Sequence, residues 1–491
     1  MEKNDSHKQI LKSTSIFGGV QIIIILAGII KSKVIAVLFG AQGIGVLGIY
    51  QSIVELVKNF SVFGLNYSSV TEISKLENED EKQAELRNII FVSFGLSSVL
   101  GSLILLSFSW LFSKAAFGNN NHTINIALLS IAVLFSILSM SILSILQGMR
   151  KIKALASANF FSTILGLGLS IFIYYVFGFS GIMISMISSS VLALAVSIYF
   201  YRNTLHPKKL SFQFPKVSRI SPLFKAGSVI MIAGLTETLT IYIVRAFISK
   251  DSGLDSVGFF MGAWSISTIY LSAILGAMGT DFFPRLSSLH DNNKEFNRLI
   301  IEQTEMALLL AAPVIVFMLS FVRPIIYLLY SPSFDPSSSI LIWQLFGDFF
   351  KILSWPLGFA LLARGLSKHY LVVNVFWNVL YFGIMYFTWS IWGLTTTGIS
   401  FLISYAIISV LLYYFAGIKF SLRITRQLSL FIIFFFVLIL AAVVNAFYRH
   451  SQLHYLFSVL ITLLVTFYSV MKLRRLVDFG SILSRIKGKS S

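Results

Sequence analysis

The 491 residues are 56% hydrophobic and only 12% charged, with a mean hydropathy of +0.84. That leaves too little polar surface to cover a soluble fold of this length, so lipid is the expected solvent. The absence of cysteine excludes disulfides and thiolate metal sites. The net charge of +18 lies between apolar runs rather than on one polar domain, which favours a membrane over nucleic acid.

The apolar stretch that follows residues 1–12 runs past the length of a signal-peptide core and shows no small-residue cleavage pattern, so it reads as a retained first helix. A span needs about 20 mostly apolar residues. On that criterion spans are predicted near 13–38, 44–69, 88–113, 123–147, 154–177, 180–201, 224–249, 257–281, 303–329, 340–363, 370–389, 392–416, 428–447 and 453–472, about fourteen in all. Two of these pairs are separated only by very short turns, at 178–181 and 389–393. The polar signals between spans are weak as sites. Gly43-Ile44-Gly45-Val46-Leu47-Gly48 matches the dinucleotide fingerprint by letter, but it follows a membrane helix instead of a strand. The acidic run Glu77-Asn78-Glu79-Asp80-Glu81 reads as a solvated, self-repelling loop, and the sequons at Asn66 and Asn121 are of the kind that arises by chance.

Lysine and arginine sort by connection. The termini and the even-numbered connections hold nearly all of them, from Lys3, Lys8 and Lys12 through Lys75, Arg150, Lys208, Arg285, Arg364 and Arg423 to the tail from Lys472 to Lys489. The odd connections hold only Lys114, Lys250, Arg323 and Arg449. The positive-inside rule then places both termini in the cytoplasm. The basic tail is expected to bind anionic lipid.

The chain also resembles itself at a spacing of roughly 210–217 residues. Val46-Leu47-Gly48-Ile49-Tyr50 answers to Ser256-Val257-Gly258-Phe259-Phe260, and Gly148-Met149-Arg150-Lys151 answers to Gly365-Leu366-Ser367-Lys368. A duplicated six-helix unit follows, with a pseudo-twofold axis along the membrane normal. The expected domains are a first lobe over 1–201, a basic linker over 202–223, a second lobe over 224–418, and two further helices with a basic tail over 419–491. Such a pair of lobes suggests alternating access around a polar path.

The charges inside the spans mark that path. They are Lys31, Lys33, Glu55, Lys58, Glu237, Arg245, Asp348 and Lys351. An ionisable group at mid-bilayer costs at least about 2.5–3.5 kcal/mol, so it lines a cavity or pairs. Glu55/Lys58 and Asp348/Lys351 sit at i, i+3, where they also read as internally neutralised structural pairs. Lys31, Lys33 and Arg245 lie nearer helix ends and could snorkel. Five positive charges against three negative suit an anionic substrate held by Lys31, Lys33, Lys58, Arg245 and Lys351. Glu55, Glu237 and Asp348 are then the candidates to carry a coupling ion. Tyr50, Trp264, Tyr270 and Trp355 are aromatics able to stack on sugar rings. No acid pair, metal cluster or phosphate loop occurs in the cytoplasmic connections, so no enzyme activity, cofactor or metal is expected.

The stretch from Gly347-Asp348-Phe349-Phe350-Lys351 through Trp355-Pro356-Leu357-Gly358 to Ala363-Arg364-Gly365 resembles the tenth helix of Wzx-type O-antigen flippases. Gly279-Thr280-Asp281-Phe282-Phe283-Pro284-Arg285-Leu286 resembles the end of their eighth, and residues 33–48 resemble their first helix and turn. This polysaccharide-transporter branch belongs to the multidrug/oligosaccharidyl-lipid/polysaccharide exporter superfamily. The resemblance implies an all-α fold of two six-helix lobes in a V, in the bacterial inner membrane. It implies transport of undecaprenyl-diphosphate-linked oligosaccharide, driven by an ion gradient, with a polysaccharide polymerase and a chain-length regulator as partners. The two helices beyond the twelve-helix core depart from that family, although lipid-linked peptidoglycan-precursor flippases of the superfamily have fourteen spans. A drug/cation antiporter of the superfamily and a membrane polysaccharide polymerase or ligase remain the alternatives; the antiporter would want an acidic cavity.

Overall fold

A computed structural model describes residues 2–76, 80–205, 217–289, 292–448 and 452–476. The centre of the acidic run, residues 206–216 of the basic linker, Arg449 and the tail beyond 476 lie outside the described residues. Within them the chain is helical and contains no strand. In chain order the helices are α1 (Glu2–Val62), α2 (Leu65–Ser74), α3 (Asp80–Ser107), α4 (Ser109–Phe117), α5 (Thr123–Gly148), α6 (Ile152–Phe177) and α7 (Gly181–Leu205). They continue with α8 (Val217–Ser288), α9 (Asn293–Ser320), α10 (Val322–Leu329), α11 (Ser337–Ala363), α12 (Ser367–Trp392), α13 (Thr396–Phe420), α14 (Arg426–Phe447) and α15 (Gln452–Leu476).

Ten helical runs are long and apolar enough to cross a membrane, and four of them extend over 44 to 58 residues, about twice what one crossing needs. Each of the four is broken once, at Gly40, at the 3₁₀ turn Gly178–Ser180, at Gly253, and at the 3₁₀ turn Gly393–Thr395. Each broken run is long enough for two spans, which matches the fourteen that hydropathy predicts. Large apolar side chains such as Phe387 (79% exposed), Leu328 (75%) and Phe467 (71%) point outward, as they do when lipid is the solvent. Several helices outrun the predicted spans. The ninth, expected from 303, begins at Asn293, because Asn292 caps it by accepting from the Glu295 N–H at 3.2 Å and Arg298 pairs with Glu302 one turn on. Hydropathy sees only the part of a helix that lipid covers.

The described residues fall into two compact units, Met1–Phe259 with Leu329–Ser331, and Phe260–Leu328 with Pro332–Ser491. In the first, α5 packs on α3 and α7, α6 packs on α7 and α1, and α2 closes against α5. Small hydroxyls stitch these helices: Ser139 meets Ser197 at 3.0 Å, and Ser185 donates to the Tyr174 hydroxyl at 3.0 Å. Such bonds contribute about 0.6 kcal/mol each in membrane proteins. In the second unit α11 is central, packed against α9, α13 and α14, while α14 and α15 lie on α9. Ser409 of α13 donates to the Phe350 carbonyl of α11 at 2.7 Å.

The internal repeat is written in the backbone. Left-handed φ values recur at Gly40 and Gly253, at Arg150 and Gly365, and at Gly178 and Gly393, pairs separated by 213 to 215 residues. The helix ends at the middle pair share a Schellman pattern. Lys151 N–H reaches the Leu146 carbonyl at 2.9 Å, and Leu366 N–H reaches the Leu361 carbonyl at 2.8 Å. The repeat predicted from sequence is present, with its register shifted: the counterpart of Gly258 is Gly45, not Gly48. Within the first unit these two glycines make a reciprocal contact. A Cβ on Gly258 would strike the Ala41 carbonyl, and one on Gly45 would strike the Leu254 carbonyl. That is the pattern a local twofold axis produces.

Candidate functional site

In the second unit, Asp348 lies on the buried side of α11 and is fully buried. Two residues one turn apart on the distal half of α8 face it. Ser267 Oγ donates to Oδ2 at 2.8 Å and Tyr270 Oη donates to the same oxygen at 2.6 Å. Oδ1 has no hydrogen-bond partner among the described residues. A carboxylate held this way is oriented through one oxygen and leaves the other open to a proton.

One turn further along α11, Lys351 interacts electrostatically with Asp348. Its ammonium stands 5.4 Å from the Tyr405 ring and 5.7 Å from the Phe401 ring of α13, both within cation–π range. Gly347 permits this approach, since a Cβ there would lie 2.6 Å from Phe401 and 3.0 Å from the Leu402 backbone. Pro356 lacks an N–H, so it frees the Ile352 carbonyl and weakens the helix just beyond the charged pair. Between α8 and α11 a cavity of about 600 Å³ opens, lined by Thr268, Ser272, Gly279, Lys351, Trp355 and Phe359.

The other six charged candidates belong to the first unit. Arg245 is 8% exposed and donates from Nη1 to the Gly48 carbonyl at 2.7 Å, near the start of the second span. Lys33 donates to the Tyr330 carbonyl. Lys58 and Glu55 form the i, i+3 ion pair on α1, with Lys58 the more buried of the two. Lys31 is half-buried and Glu237 is exposed; neither has a hydrogen-bond or ion-pair partner among the described residues. The structure thus joins Asp348 to Lys351 and Glu55 to Lys58, and gives Arg245 and Lys33 backbone partners. Of the aromatic candidates, Tyr50 is 2% exposed and Tyr270 is committed to Asp348. Trp264 packs among Phe260, Tyr381 and Phe401, and Trp355 lines the cavity.

Sequence reasoning missed two things here. Ser267 is a common residue in a membrane helix, and nothing short of the fold pairs it with a carboxylate 81 residues away. His122 was passed over as the middle of a chance sequon. In the structure Tyr50 bonds to its Nδ1 at 2.8 Å, Asn125 donates to the Tyr50 oxygen at 3.2 Å, and the Phe117 ring stacks on it at 3.8 Å.

Known proteins match this fold and this sequence. The lipid II flippase MurJ, in an inward closed conformation, superposes with a TM-score of 0.71 at 15% identity, over 94% of this chain and 98% of that one. An inward-facing MATE-family multidrug transporter of the MOP superfamily gives 0.67 at 15% identity, over 82% and 98%. By sequence, the Shigella flexneri protein named "Putative O-antigen transporter" is 26% identical over 384 residues, 76% of this chain and 91% of its own length. The lipid III flippase of Escherichia coli (strain K12) is 23% identical over 362 residues, 71% and 84%. The two structures share the fold of this chain. The family described as "Polysaccharide biosynthesis protein" matches residues 34–339, more than half of the sequence, and the chain belongs to it.

Proposed function

We propose that this protein is a flippase that moves a polyprenyl-diphosphate-linked oligosaccharide from the cytoplasmic to the outer leaflet of a bacterial inner membrane. The observation that carries the reading is the buried Asp348 with Lys351 beside it, lining the 600 Å³ cavity of the second unit. Sugars and a diphosphate cannot cross hydrocarbon, so they need a polar, net cationic path, while the polyprenyl tail stays in lipid. The family match and the names of the relatives support that substrate class. A drug/cation antiporter shares the fold, but a cavity whose charged lining residue is a lysine suits anions. Both termini are cytoplasmic in this reading, and the protein is a transporter rather than an enzyme.

Asp348 is the residue we assign to ion coupling. Ser267 and Tyr270 occupy Oδ2, so a coupling proton goes to Oδ1. Neutralising Asp348 removes its negative charge from beside Lys351 and increases the pull on an anion. The test is complementation of a flippase-null strain, with mass analysis of the lipid-linked oligosaccharide that builds up without the protein. The wild-type chain restores surface polysaccharide. Asp348→Asn lowers transport at least tenfold and makes the remainder insensitive to collapse of the proton gradient. Translocated but unpolymerised units in the deletion strain would instead identify a polymerase. Full, uncoupler-sensitive transport by Asp348→Asn would overturn the coupling assignment.

A further inference from the structure

The cavity between α8 and α11 has an unequal lining. The α8 wall is made of Thr268, Leu271, Ser272, Leu275, Gly276, Gly279 and Phe283, residues that recur at helical spacing and are small in the middle. Facing them, α11 presents Lys351, Trp355 and Phe359 at i, i+4 and i+8, one cation followed by two rings on a single face. Successive members of that row are about 6 Å apart along the axis, at a rise of about 1.5 Å per residue.

The rings form a built platform. Trp355 stacks on Phe282 at 5.7 Å and meets Phe359 edge-on at 4.9 Å. Gly279 lets both rings approach α8, because a Cβ there would sit 3.3 Å from Trp355 and 3.4 Å from Phe359. Phe282 is fully buried, so Trp355 is backed on one side while it stays partly exposed at the cavity. Across from it, Ser272 donates its hydroxyl proton to the Ile269 carbonyl at 3.0 Å. Its oxygen is left to accept from a ligand hydroxyl. The volume of about 600 Å³ falls inside the roughly 300–1,000 Å³ of small-molecule sites.

A partly exposed ring backed by others, a hydroxyl acceptor and a cation one turn away correspond to the parts of a glycosyl phosphate. We propose that this cavity is the subsite for the sugar joined to the diphosphate. The apolar face of that sugar stacks on Trp355, its hydroxyls reach Ser272 and Thr268, and its phosphate lies toward Lys351. The next sugars run toward Phe359 and Phe283. The proposal rests on the flippase reading and adds to it the place and the recognition element: affinity for the sugar resides in Trp355, and affinity for the phosphate in Lys351.

The two claims separate in one binding experiment on the purified full-length chain. The ligands are farnesyl diphosphate, bare or carrying N-acetylglucosamine, glucose or galactose. Wild type is expected to bind at least one glycosylated form ten or more times more tightly than the bare diphosphate. Trp355→Ala brings that ratio close to one and leaves affinity for the bare diphosphate unchanged. Trp355→Phe, which keeps a ring and guards against a folding artefact, retains most of the ratio. Lys351→Met weakens every ligand by a similar factor of about five to ten. If wild type binds every ligand equally, or if Trp355→Ala keeps the ratio, the subsite is wrong while the flippase reading stands. If wild type binds none of the ligands, the flippase reading itself falls, and the subsite falls with it.

Discussion

Each buried polar side chain in this molecule is settled in its own way, and the settlement decides what the residue can do. Arg245 and Lys33 are spent on backbone carbonyls, so they hold helix ends together. Asp348 keeps one oxygen open, so it can change charge. His122 is a third case. It lies just outside the fifth helix, and burial pushes its imidazole below the ordinary 6.5. Asn125 donates to the Tyr50 oxygen, so the Tyr50 hydroxyl proton points to Nδ1 of a neutral ring. Protonating Nδ1 would put two donors face to face. A folded-state value below the unfolded one means that the unfolded chain binds the proton more strongly. The stability due to neutral His122 is therefore complete above about pH 6.5 and is lost as the pH falls through the folded value. Acidifying from about pH 7 to about pH 5 should lower hydrogen-exchange protection across residues 117–125, measured relative to the intrinsic rate at each pH, in the wild type and much less in His122→Asn. An equal loss of protection in both proteins would refute this account. The charged residues were visible in the sequence because a charge in an apolar run stands out. Ser267 and His122 were not, since a hydroxyl or an uncharged ring acquires meaning only from a partner that the fold supplies.

For the helices, the sequence was informative about length and poor about ends. Fourteen apolar stretches were legible because hydropathy reports directly on contact with lipid. The continuity of α1 and α8 through their breaks was not, because one left-handed residue interrupts two helices without changing composition. The register of the repeat was blurred for the same reason: letters align Gly48 with Gly258, while φ angles and contacts align Gly45 with it. The reciprocal crossing of these glycines has a measurable consequence. A methyl at Gly258 has nowhere to go but into the Ala41 carbonyl, which belongs to backbone and cannot rotate away. Gly258→Ala should destabilise by about 1–3 kcal/mol, the usual cost of overpacking. Gly28→Ala, also within a helix but with open space around the added carbon, should be neutral or slightly stabilising. Thermal melting of the two variants in the same detergent compares them directly. Matching melting temperatures would mean that the helices do not cross that closely.

Across the whole chain, helix count and sidedness are linked by parity, and parity can be measured. Four runs contain their breaks as short turns, so the count of fourteen depends on each break being a reversal across the membrane rather than a bend within one crossing. The absence of cysteine makes single-cysteine reporters clean. Asn120 and Ser252 are exposed and separated by four spans, so they should lie on one side, the outside. His369 is exposed and three spans beyond Ser252, which puts it on the opposite side; Ile424 is exposed and two spans beyond His369, on the same side as it. A membrane-impermeant maleimide applied to intact cells should therefore label Asn120→Cys and Ser252→Cys, and should label His369→Cys and Ile424→Cys only after permeabilisation. Three of the breaks, at Gly178, Gly253 and Gly393, are each checked by the reporters on either side. If the turn at Gly178 were a bend, Asn120 and Ser252 would fall on opposite sides; if the turn at Gly393 were one, His369 and Ile424 would separate. Labelling of all four in the reverse sense would keep the fourteen spans and overturn the orientation drawn from the lysines and arginines. A cytoplasmic entry for the diphosphate would be lost with it.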